Sequence, residues 1–387
     1  MGGRSKTEGK NRRAAGETAA LLFAGADVRM ANTTIKDIAR ICGVGVSTVS
    51  RAINNHPDIN PETKKKIMAV IDEYGFVPND SARYLKRSES DSIAFLVKGI
   101  SNPFFLGMVR VMEQFTQKRN YAAILRHVDD DQDEVMVAQA LVKERKLKGI
   151  VFLGGNFTHD PESLQQISVP YIFCTVGNED EFELAGRPLV RDSVRYANVA
   201  VDDLVESKKA ISYLVEQGHR RIGIVTEGLD KPSVGQLRYL GYKKALEERG
   251  IPYDPKLVYE IRTKDGERYT RQNGYLGAKE LMRDNPDLTA IFCISDVIAI
   301  GAIRAIIDSG KKIPEDVSVV GYDGIDEGKY CVPRLTTIEQ PQVEISEATI
   351  QFLFDMIDGK REPDNLLMPA KLVVRESTGS GYRSGKD

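Results

Sequence analysis

Small polar side chains are concentrated in one short stretch of the chain, residues 46–54. Ser47, Thr48, Ser50, Arg51 and Asn54 all lie there. Hydroxyl and amide groups donate and accept hydrogen bonds, and a guanidinium donates to phosphates and to guanine. Small side chains on a helix also permit the close approach that base edges in the major groove require. This combination of groups predicts contact with duplex DNA.

The elements that would position these groups are two short helices and a tight turn. Thr34 and Asp37 have the spacing of a capping box, which predicts a helix start, and Gly43 predicts its end. A second helix is predicted from about residue 45 to residue 54. Two helices joined by a glycine-containing turn form a helix-turn-helix, whose second helix enters the major groove. An ordinary helical hairpin is the alternative that this pattern leaves open.

Apolar spacing predicts the core of a small three-helix bundle. Val49 and Ile53 lie four residues apart on the second helix and are predicted to face inward, which leaves Val46 on the DNA side. A third helix is predicted to begin at Asn60-Pro61-Glu62, because Asn caps helices and Pro suits their first position. The inward-facing residues predicted for it are Ile67, Met68, Val70 and Ile71.

From residue 92 onward, short apolar runs alternate with amphipathic segments. Runs such as residues 92–97, 149–153, 221–225 and 317–321 predict strands, and the segments between them predict helices. This alternation is typical of α/β folds in which helices cover both faces of parallel sheets. A segment of this length is too long for a single hydrophobic core, so we expect two lobes. Residues 178–198 are expected to be the loop or crossing between them.

Composition places the chain among ordinary globular proteins. Its 387 residues contain 41% hydrophobic and 28% charged residues, and the net charge is only −2. Residues 34–89 contain nine basic and seven acidic residues, so any attraction to DNA must be local. The four cysteines have no paired spacing and are expected to be buried, reduced thiols: Cys42, Cys174, Cys293 and Cys331. No signal peptide or membrane span is recognisable, which favours a cytoplasmic location.

Catalytic motifs are missing from the sequence. It contains no GxSxG elbow, no GxxxxGK[ST] phosphate loop and no HExxH helix, and the four histidines lack metal-ligand spacing. We therefore expect no enzymatic activity, no cofactor and no metal. A sugar kinase or isomerase would leave residues 34–86 unexplained. A two-lobed solute-binding protein would require an export signal and no helix-turn-helix.

The segment from residue 34 to residue 86 resembles the DNA-binding headpiece of the lactose and galactose repressor (LacI) family. The resemblance is carried by DIA, by GV followed by STVSRAIN, by INPETKKKI and by GFVPNDSARYL. It continues to about residue 379 in SNPFF, GHRRIGIV, SDVIAIGAIRAI, VSVVGYDG and PRLTTIEQP. It implies a helix-turn-helix headpiece followed by a two-lobed core like that of periplasmic binding proteins.

The resemblance implies roles for individual headpiece residues. Val46 and Ser47 would read bases, while Thr48, Ser50, Arg51 and Asn54 would touch bases or backbone. Asn79 would begin a hinge helix that forms on specific DNA, in which Leu85 wedges into the minor groove and Ala82 lies one turn earlier. The chain departs from the family at Gly45, where a serine usually caps the second helix and reaches a phosphate.

In two-lobed folds the ligand lies at the carboxyl ends of the strands. Candidate effector contacts are therefore residues next to predicted strand ends or helix starts: Asn102, Phe104, Arg238, Tyr269, Ser295, Asp296 and Asp323. The resemblance implies that Arg238 and Asp323 bind polar effectors, commonly sugars, and that Tyr269 offers an aromatic face. The alternatives are that Asp323 caps a turn, Arg238 pairs across the lobes and Tyr269 is core. Thr175 stands where the family usually has Asp.

These interpretations divide the chain into five parts. We expect an arm at residues 1–32, the headpiece at 33–78, a hinge at 79–90, an effector domain at 91–379 and a tail at 380–387. The expected function is a repressor that binds a pseudo-palindromic operator as a homodimer and responds to a sugar or sugar derivative. The alternative is the same regulator controlled by a protein corepressor.

Overall fold

The computed structural model describes residues 33–53, 56, 58–76, 91–129, 131–155, 159–176, 196–229, 232–262 and 267–381. The chain divides into two compact units, Met1–Arg87 and Ser88–Asp387, which we call the headpiece and the core. The predictions for Asn54, Asn79, Ala82 and Leu85 lie outside the described residues.

The headpiece contains three helices: α1 (Ile35–Cys42), α2 (Val46–Ile53) and α3 (Pro61–Glu73). The predicted capping box is confirmed, because Thr34 accepts from the Asp37 N–H while the Asp37 carboxylate accepts from the Thr34 N–H. Gly43 ends α1 with a φ of 70°, a left-handed conformation that glycine adopts without strain. Asn60 caps α3 as predicted, accepting from the N–H groups of Glu62 and Thr63.

All three helices contribute to the headpiece core. Val49 is fully buried as predicted, whereas Ile53 is only partly buried and Ala52 takes the second inward position of α2. Met68 does not fit its predicted place, since it is 37% exposed while Ile67 and Ile71 are buried. The reason is helical geometry: Ile67 and Ile71 are one turn apart, and Met68 lies about 100° around the helix from Ile67.

The core consists of two lobes, each built on a six-stranded sheet. The first-lobe elements are β1 (Ser92–Lys98), α4 (Pro103–Lys118), β2 (Ala122–Val128), α5 (Glu134–Glu144), β3 (Leu147–Leu153), α6 (Pro161–Gln165), β4 (Tyr171–Cys174) and β5 (Ala197–Ala200). With β11 (Asn365–Leu367), which comes from late in the chain, the strand order is β11-β5-β4-β3-β1-β2, and every pairing in it is parallel. The chain continues into the second lobe after Ala200. The prediction that the loop or crossing reaches Asn198 is wrong at that end, because Asn198 lies in β5 and pairs with Phe173 of β4.

The second lobe begins with α7 (Asp203–Glu216), β6 (Ile222–Glu227), α8 (Val234–Glu248), a 3-10 turn (Pro255–Leu257), β7 (Val258–Ile261), α9 (Arg271–Asp284) and β8 (Ala290–Cys293). It continues with α10 (Asp296–Asp308), β9 (Ser318–Asp323), α11 (Glu327–Tyr330) and β10 (Thr336–Glu339). The chain then adds α12 (Gln342–Ile357) and β11 (Asn365–Leu367) to the first lobe and returns as β12 (Lys371–Val373). The order is β12-β10-β9-β8-β6-β7, with only β12 antiparallel among the pairings described.

Burial follows from this layering. Strands such as β3 and β8 are covered on both faces and are almost entirely apolar, as parallel sheets require. Cys42, Cys174 and Cys293 are buried as predicted, and burial raises the pKa of the Cys174 thiol to about 12. Cys331 is only partly buried, which corrects the prediction for it, because it lies in a surface segment after α11. Among the described residues, no helix combines the length and hydropathy that crossing a membrane requires.

Candidate DNA-reading helix and effector cleft

Helix α2 presents the side chains predicted to contact DNA on its exposed side. Val46, Ser47 and Arg51 are exposed, and Thr48 and Ser50 are partly exposed, while Val49 and Ala52 anchor the opposite face. The carbonyl of Gly45 accepts from the N–H groups of Thr48 and Val49, so the helix begins where the tight turn ends. A fixed backbone with outward small side chains is what groove reading requires.

Arg51 is paired with a carboxylate that sequence reasoning did not single out. Its Nη1 lies 3.4 Å from Asp58 Oδ2, and His56 Nδ1 also contacts the Asp58 carboxylate. The His56 hydrogen bond, more than the charge of Arg51, holds the pKa of Asp58 below its usual value. Because these side chains are more than half exposed, the ion pair contributes little to stability. Arg51 can therefore exchange Asp58 for a phosphate at small cost.

A cavity of about 150 Å³ lies between the two lobes, where the strands of both sheets end. Its volume has room for several water molecules or for part of a small ligand. The first lobe lines it with Lys98, Gly99, Asn102, Phe104, Phe105, Gly154, Gly155 and Thr175. The second lobe lines it with Glu227, Pro232, Ser233, Val234, Arg238, Arg268, Tyr269, Asp323 and Gln340.

Asp323 is the centre of the polar network in this cavity. Its Oδ2 accepts from Asn102 Nδ2 at 3.1 Å, and its Oδ1 accepts from Gln340 Nε2 at 2.9 Å and faces Arg238 Nη1 at 3.5 Å. Asn102 belongs to the first lobe and Asp323 to the second, so this hydrogen bond spans the lobes. Burial raises the pKa of Asp323 to about 6, although the charge of Arg238 opposes that rise.

Arg238 is held by its own lobe. Its Nε donates to Asp203 Oδ1 at 2.8 Å, its Nη1 donates to the carbonyl of Ile294 at 2.6 Å, and its guanidinium lies 3.7 Å from the centre of the Tyr322 ring. Burial lowers its pKa, but the carboxylates of Asp203 and Asp323 outweigh burial and raise it overall. The alternative that Arg238 pairs across the lobes is wrong, because both carboxylate partners lie in the second lobe.

Tyr269 is tied to a buried carboxylate on the same side of the cavity. Its hydroxyl donates to Glu227 Oε1 at 3.0 Å, and the N–H of Gly235 donates to the same oxygen at 2.9 Å. Arg268 Nη1 lies 3.4 Å from Glu227 Oε2. Burial, and then the charge of Glu227, raise the pKa of Tyr269, so its hydroxyl stays a donor. The ring is thereby fixed along the cavity wall.

The predicted effector contacts divide into those that line the cavity and those that do not. Asn102, Phe104, Arg238, Tyr269 and Asp323 line it, although Phe104 is only 2% exposed and packs edge-on against Phe105.

The structure does not bring Ser295 and Asp296 to the cavity. Ser295 accepts from the Ile298 N–H as the cap of α10, and Asp296 is fully buried, with Thr337 and backbone N–H groups as partners. These two residues follow a strand but lie away from the cavity because α10 begins directly after β8, so that Ser295 is its cap and Asp296 its first residue.

Some residues that line the cavity were not predicted from the sequence. Lys98 and Glu227 are the last residues of β1 and β6, so the strand-end rule would have found them had both strands been predicted to their full length. Gln340 follows β10, a four-residue strand that periodicity did not reveal.

Thr175 lines the cavity with a φ of 59°, and its buried Oγ1 has no hydrogen-bond partner among the residues that the structure describes. Strain of this kind in a β-branched residue is typical of functional sites. Among the described residues, no cluster of His, Cys, Asp or Glu has the geometry to hold a metal ion.

Comparisons with known proteins identify both units. The profile described as "Bacterial regulatory proteins, lacI family" matches residues 34–79, and that described as "Periplasmic binding protein-like domain" matches residues 211–378. The HTH-type transcriptional regulator MalR of Clostridium butyricum is 38% identical over 345 residues, which cover 89% of this chain and 98% of that protein.

Two solved structures are similar along most of the chain. The transcriptional regulator CelR in complex with cellobiose is 29% identical, with a TM-score of 0.62 and coverage of 89% of this chain and 100% of that one. The lac repressor dimer bound to operator and the anti-inducer ONPF, at 22% identity and a TM-score of 0.65, covers 90% and 99% and shares the fold. The α/β fold with a helix-turn-helix headpiece and two parallel-sheet lobes is thus confirmed, and the chain belongs to the LacI family of DNA-binding transcriptional regulators, not to an enzyme family.

Proposed function

We propose that this protein is a repressor that binds a pseudo-palindromic operator as a homodimer and changes its operator affinity when a sugar or sugar derivative enters the inter-lobe cavity. The observation that carries the proposal is the hydrogen bond between Asn102 and Asp323, which joins the lobes inside a polar cavity. A ligand that takes over these polar groups would alter how the lobes meet.

The chemistry of the cavity favours a neutral, polyhydroxylated ligand. Its buried cations are already paired with carboxylates: Arg238 faces Asp203 and Asp323, and Lys98 donates to Glu134 at 3.0 Å. Such paired groups still have lone pairs and N–H groups to offer to hydroxyls, whereas a charged ligand would leave one charge without a partner. Tyr269 and Phe105 add ring surfaces along the wall. The similar regulator CelR forms a complex with cellobiose, which supports a sugar as the ligand.

The site residues of α2 are proposed from exposure and resemblance together, and the other residues on the DNA side from resemblance alone. Val46 and Ser47 would read bases, and Thr48, Ser50, Arg51 and Asn54 would contact bases or phosphates. Asn79, Ala82 and Leu85 would form the hinge that enters the minor groove. Because the local charge excess is small, two headpieces on one operator would supply the affinity that one lacks. A protein that acts on the genome in this way would reside in the cytoplasm.

Effector binding would be coupled to DNA binding by a free energy of about 1–3 kcal/mol, the usual range for two linked sites. The test is fluorescence anisotropy of the full-length protein with a duplex taken from upstream of its own gene, titrated with cellobiose, glucose and ribose. We expect at least one sugar to change the operator Kd by about 5-fold or more.

Isothermal titration of each sugar without DNA should give a Kd that agrees with the anisotropy data. If a specific duplex binds but none of these or other common sugars binds the cavity, the sugar-effector proposal is refuted. Control by a protein partner would then be the surviving account.

A further inference from the structure

Asp296 is a buried carboxylate close to the cavity that does not line it. Its side chain is fully buried in the first turn of α10, at the junction of three segments of the second lobe. A carboxylate removed from water is costly unless its oxygens accept hydrogen bonds. The hydrogen-bond partners of the Asp296 carboxylate therefore indicate its structural role.

The partners of Asp296 belong to the turn after β9 and to β10. Its Oδ2 accepts from the N–H groups of Gly324 at 2.8 Å and Ile325 at 2.9 Å. Its Oδ1 accepts from the Thr337 hydroxyl at 2.6 Å. One carboxylate thus ties the start of α10 to the two residues that directly follow Asp323.

The backbone that these bonds hold is strained. Asp323 has a φ of 113°, a conformation that residues with a side chain rarely adopt, and Gly324 follows with a φ of 81°. Such conformations persist only where the surrounding structure fixes them. The two N–H bonds to Asp296 fix the residues on the carboxyl side of Asp323, and the pairing of Asp323 with Glu339 in β10 fixes the residue itself.

The Asp296 carboxylate also packs closely against the backbone of β9 at Gly321. A Cβ added to Gly321, two residues before Asp323, would lie 2.2 Å from Asp296 Oδ1. Glycine at that position thus leaves room for the carboxylate against the strand. The packing of β9 and the position of Asp296 are therefore interdependent.

We propose that Asp296 is a positioning residue: it holds the turn at Gly324 and Ile325, and so keeps the Asp323 carboxylate aimed at Asn102 in the first lobe and at Gln340 and Arg238 in its own lobe. It acts on the effector only through Asp323. The inference deepens the proposed function, since it assigns a determinant of effector affinity to a residue outside the cavity.

The test measures cellobiose binding to the full-length protein by isothermal titration, with Asp296→Ala, Asp296→Asn and the matched control Thr337→Val. Asp296→Ala removes all three acceptor bonds, and we expect the cellobiose Kd to rise at least 10-fold. Asp296→Asn keeps one oxygen for the two N–H groups, so its Kd should stay within about 3-fold of the parent. Thr337→Val removes a bond to the same carboxylate but leaves the turn held, and should also stay within about 3-fold.

Gly321→Ala supplies a second variant in case Asp296→Ala does not fold. Its added Cβ displaces the carboxylate without deleting it, and the cellobiose Kd should again rise several-fold. Hydrogen exchange of peptides covering residues 318–330 should be faster in Asp296→Ala and Gly321→Ala, but not in Asp296→Asn.

Parent-like exchange and parent-like cellobiose binding in Asp296→Ala would overturn the positioning role. A 10-fold loss in Asp296→Asn with parent-like exchange would overturn it too, because the carboxylate would then act by its charge. If the parent protein binds no sugar, the effector proposal fails by itself. The exchange rates of residues 318–330 still decide whether Asp296 holds the turn.

Discussion

The headpiece and the core place their functional side chains in opposite environments. In the headpiece, Ser47 and Arg51 are exposed, and the fold is held by other residues such as Val49. In the core, Arg238 and Asp323 are 5% and 3% exposed and are bonded to one another and to their neighbours. The difference teaches that the proposed DNA contacts can change without cost to the fold, whereas the proposed effector contacts are part of the fold.

The largest effect is expected for Arg238→Ala. Its loss leaves the buried carboxylates of Asp203 and Asp323 without their cation, which costs about 3–5 kcal/mol of unfolding free energy. Thermal unfolding should therefore shift downward while the sugar response disappears. Arg238→Lys is the control, because it keeps the charge but not the forked geometry, and should recover part of the stability only. An unchanged unfolding temperature in Arg238→Ala would contradict the claim that the side chains of the cavity are part of the fold.

Val49→Ala should separate the two units. Val49 is fully buried in the headpiece core, so removing two methyl groups costs about 2 kcal/mol there. Specific DNA binding should weaken because α2 loses its anchor, while sugar binding by the core stays at the parent value. Anisotropy with operator DNA and isothermal titration with sugar measure the two effects. A parallel loss of sugar affinity would contradict the expected independence.

Arg51→Ala should weaken operator binding by about 1–3 kcal/mol and leave thermal unfolding nearly unchanged, because its only described ion pair is exposed. Asp58→Asn is the informative partner variant. It releases Arg51 and removes a negative charge next to it, so DNA affinity should be equal or higher. Anisotropy at two salt concentrations measures both. A clear fall in the midpoint of unfolding for Arg51→Ala would go against the exposed-contact account.

Two buried carboxyls, Asp323 in the cavity and Asp296 next to it, should also make stability depend on pH. Burial raises the pKa of Asp296 to about 8 and that of Asp323 to about 6, against 3.8 in an unfolded chain. At a pH between the unfolded and the folded pKa of either group, the folded protein holds more protons than the unfolded chain. The contribution of Asp296 and Asp323 to the unfolding free energy therefore falls as pH rises from about 4 to 8. Asp296→Asn cannot ionise, so its unfolding temperature minus that of the parent should increase by about 2 °C or more from pH 5 to pH 8. A constant difference would show that Asp296 does not titrate in this range.

Local signals in the sequence were strong enough to predict much of this molecule. The Thr34 capping box, the Gly43 helix end and the Asn60 cap each depend on a few neighbouring residues, and all are present in the structure. The strands that escaped prediction, β5, β7, β10, β11 and β12, have only three or four residues each, too few for a period to show. Their existence depends on pairing with strands that are distant in sequence.

The cleft was predictable only in part for the same reason. Arg238 and Asp323 could be proposed from strand ends and resemblance, but the bond from Asn102 to Asp323 joins residues 221 positions apart. Asp296 looked like a cleft residue because it follows a strand, and only the packing of β9 and β10 shows that it faces inward. Which polar group meets the cavity is decided by tertiary contacts that no short window contains.

The central claim is that α2 reads DNA in a protein whose two headpieces act together. The most direct measurement is selection of binding sites from random duplexes by the full-length protein, repeated with Ser47→Ala. The account predicts enrichment of a two-fold symmetric sequence, and a Ser47→Ala selection in which preference weakens at the same position of both half-sites. Recovery of no symmetric sequence by the parent protein, with or without sugars present, would contradict it.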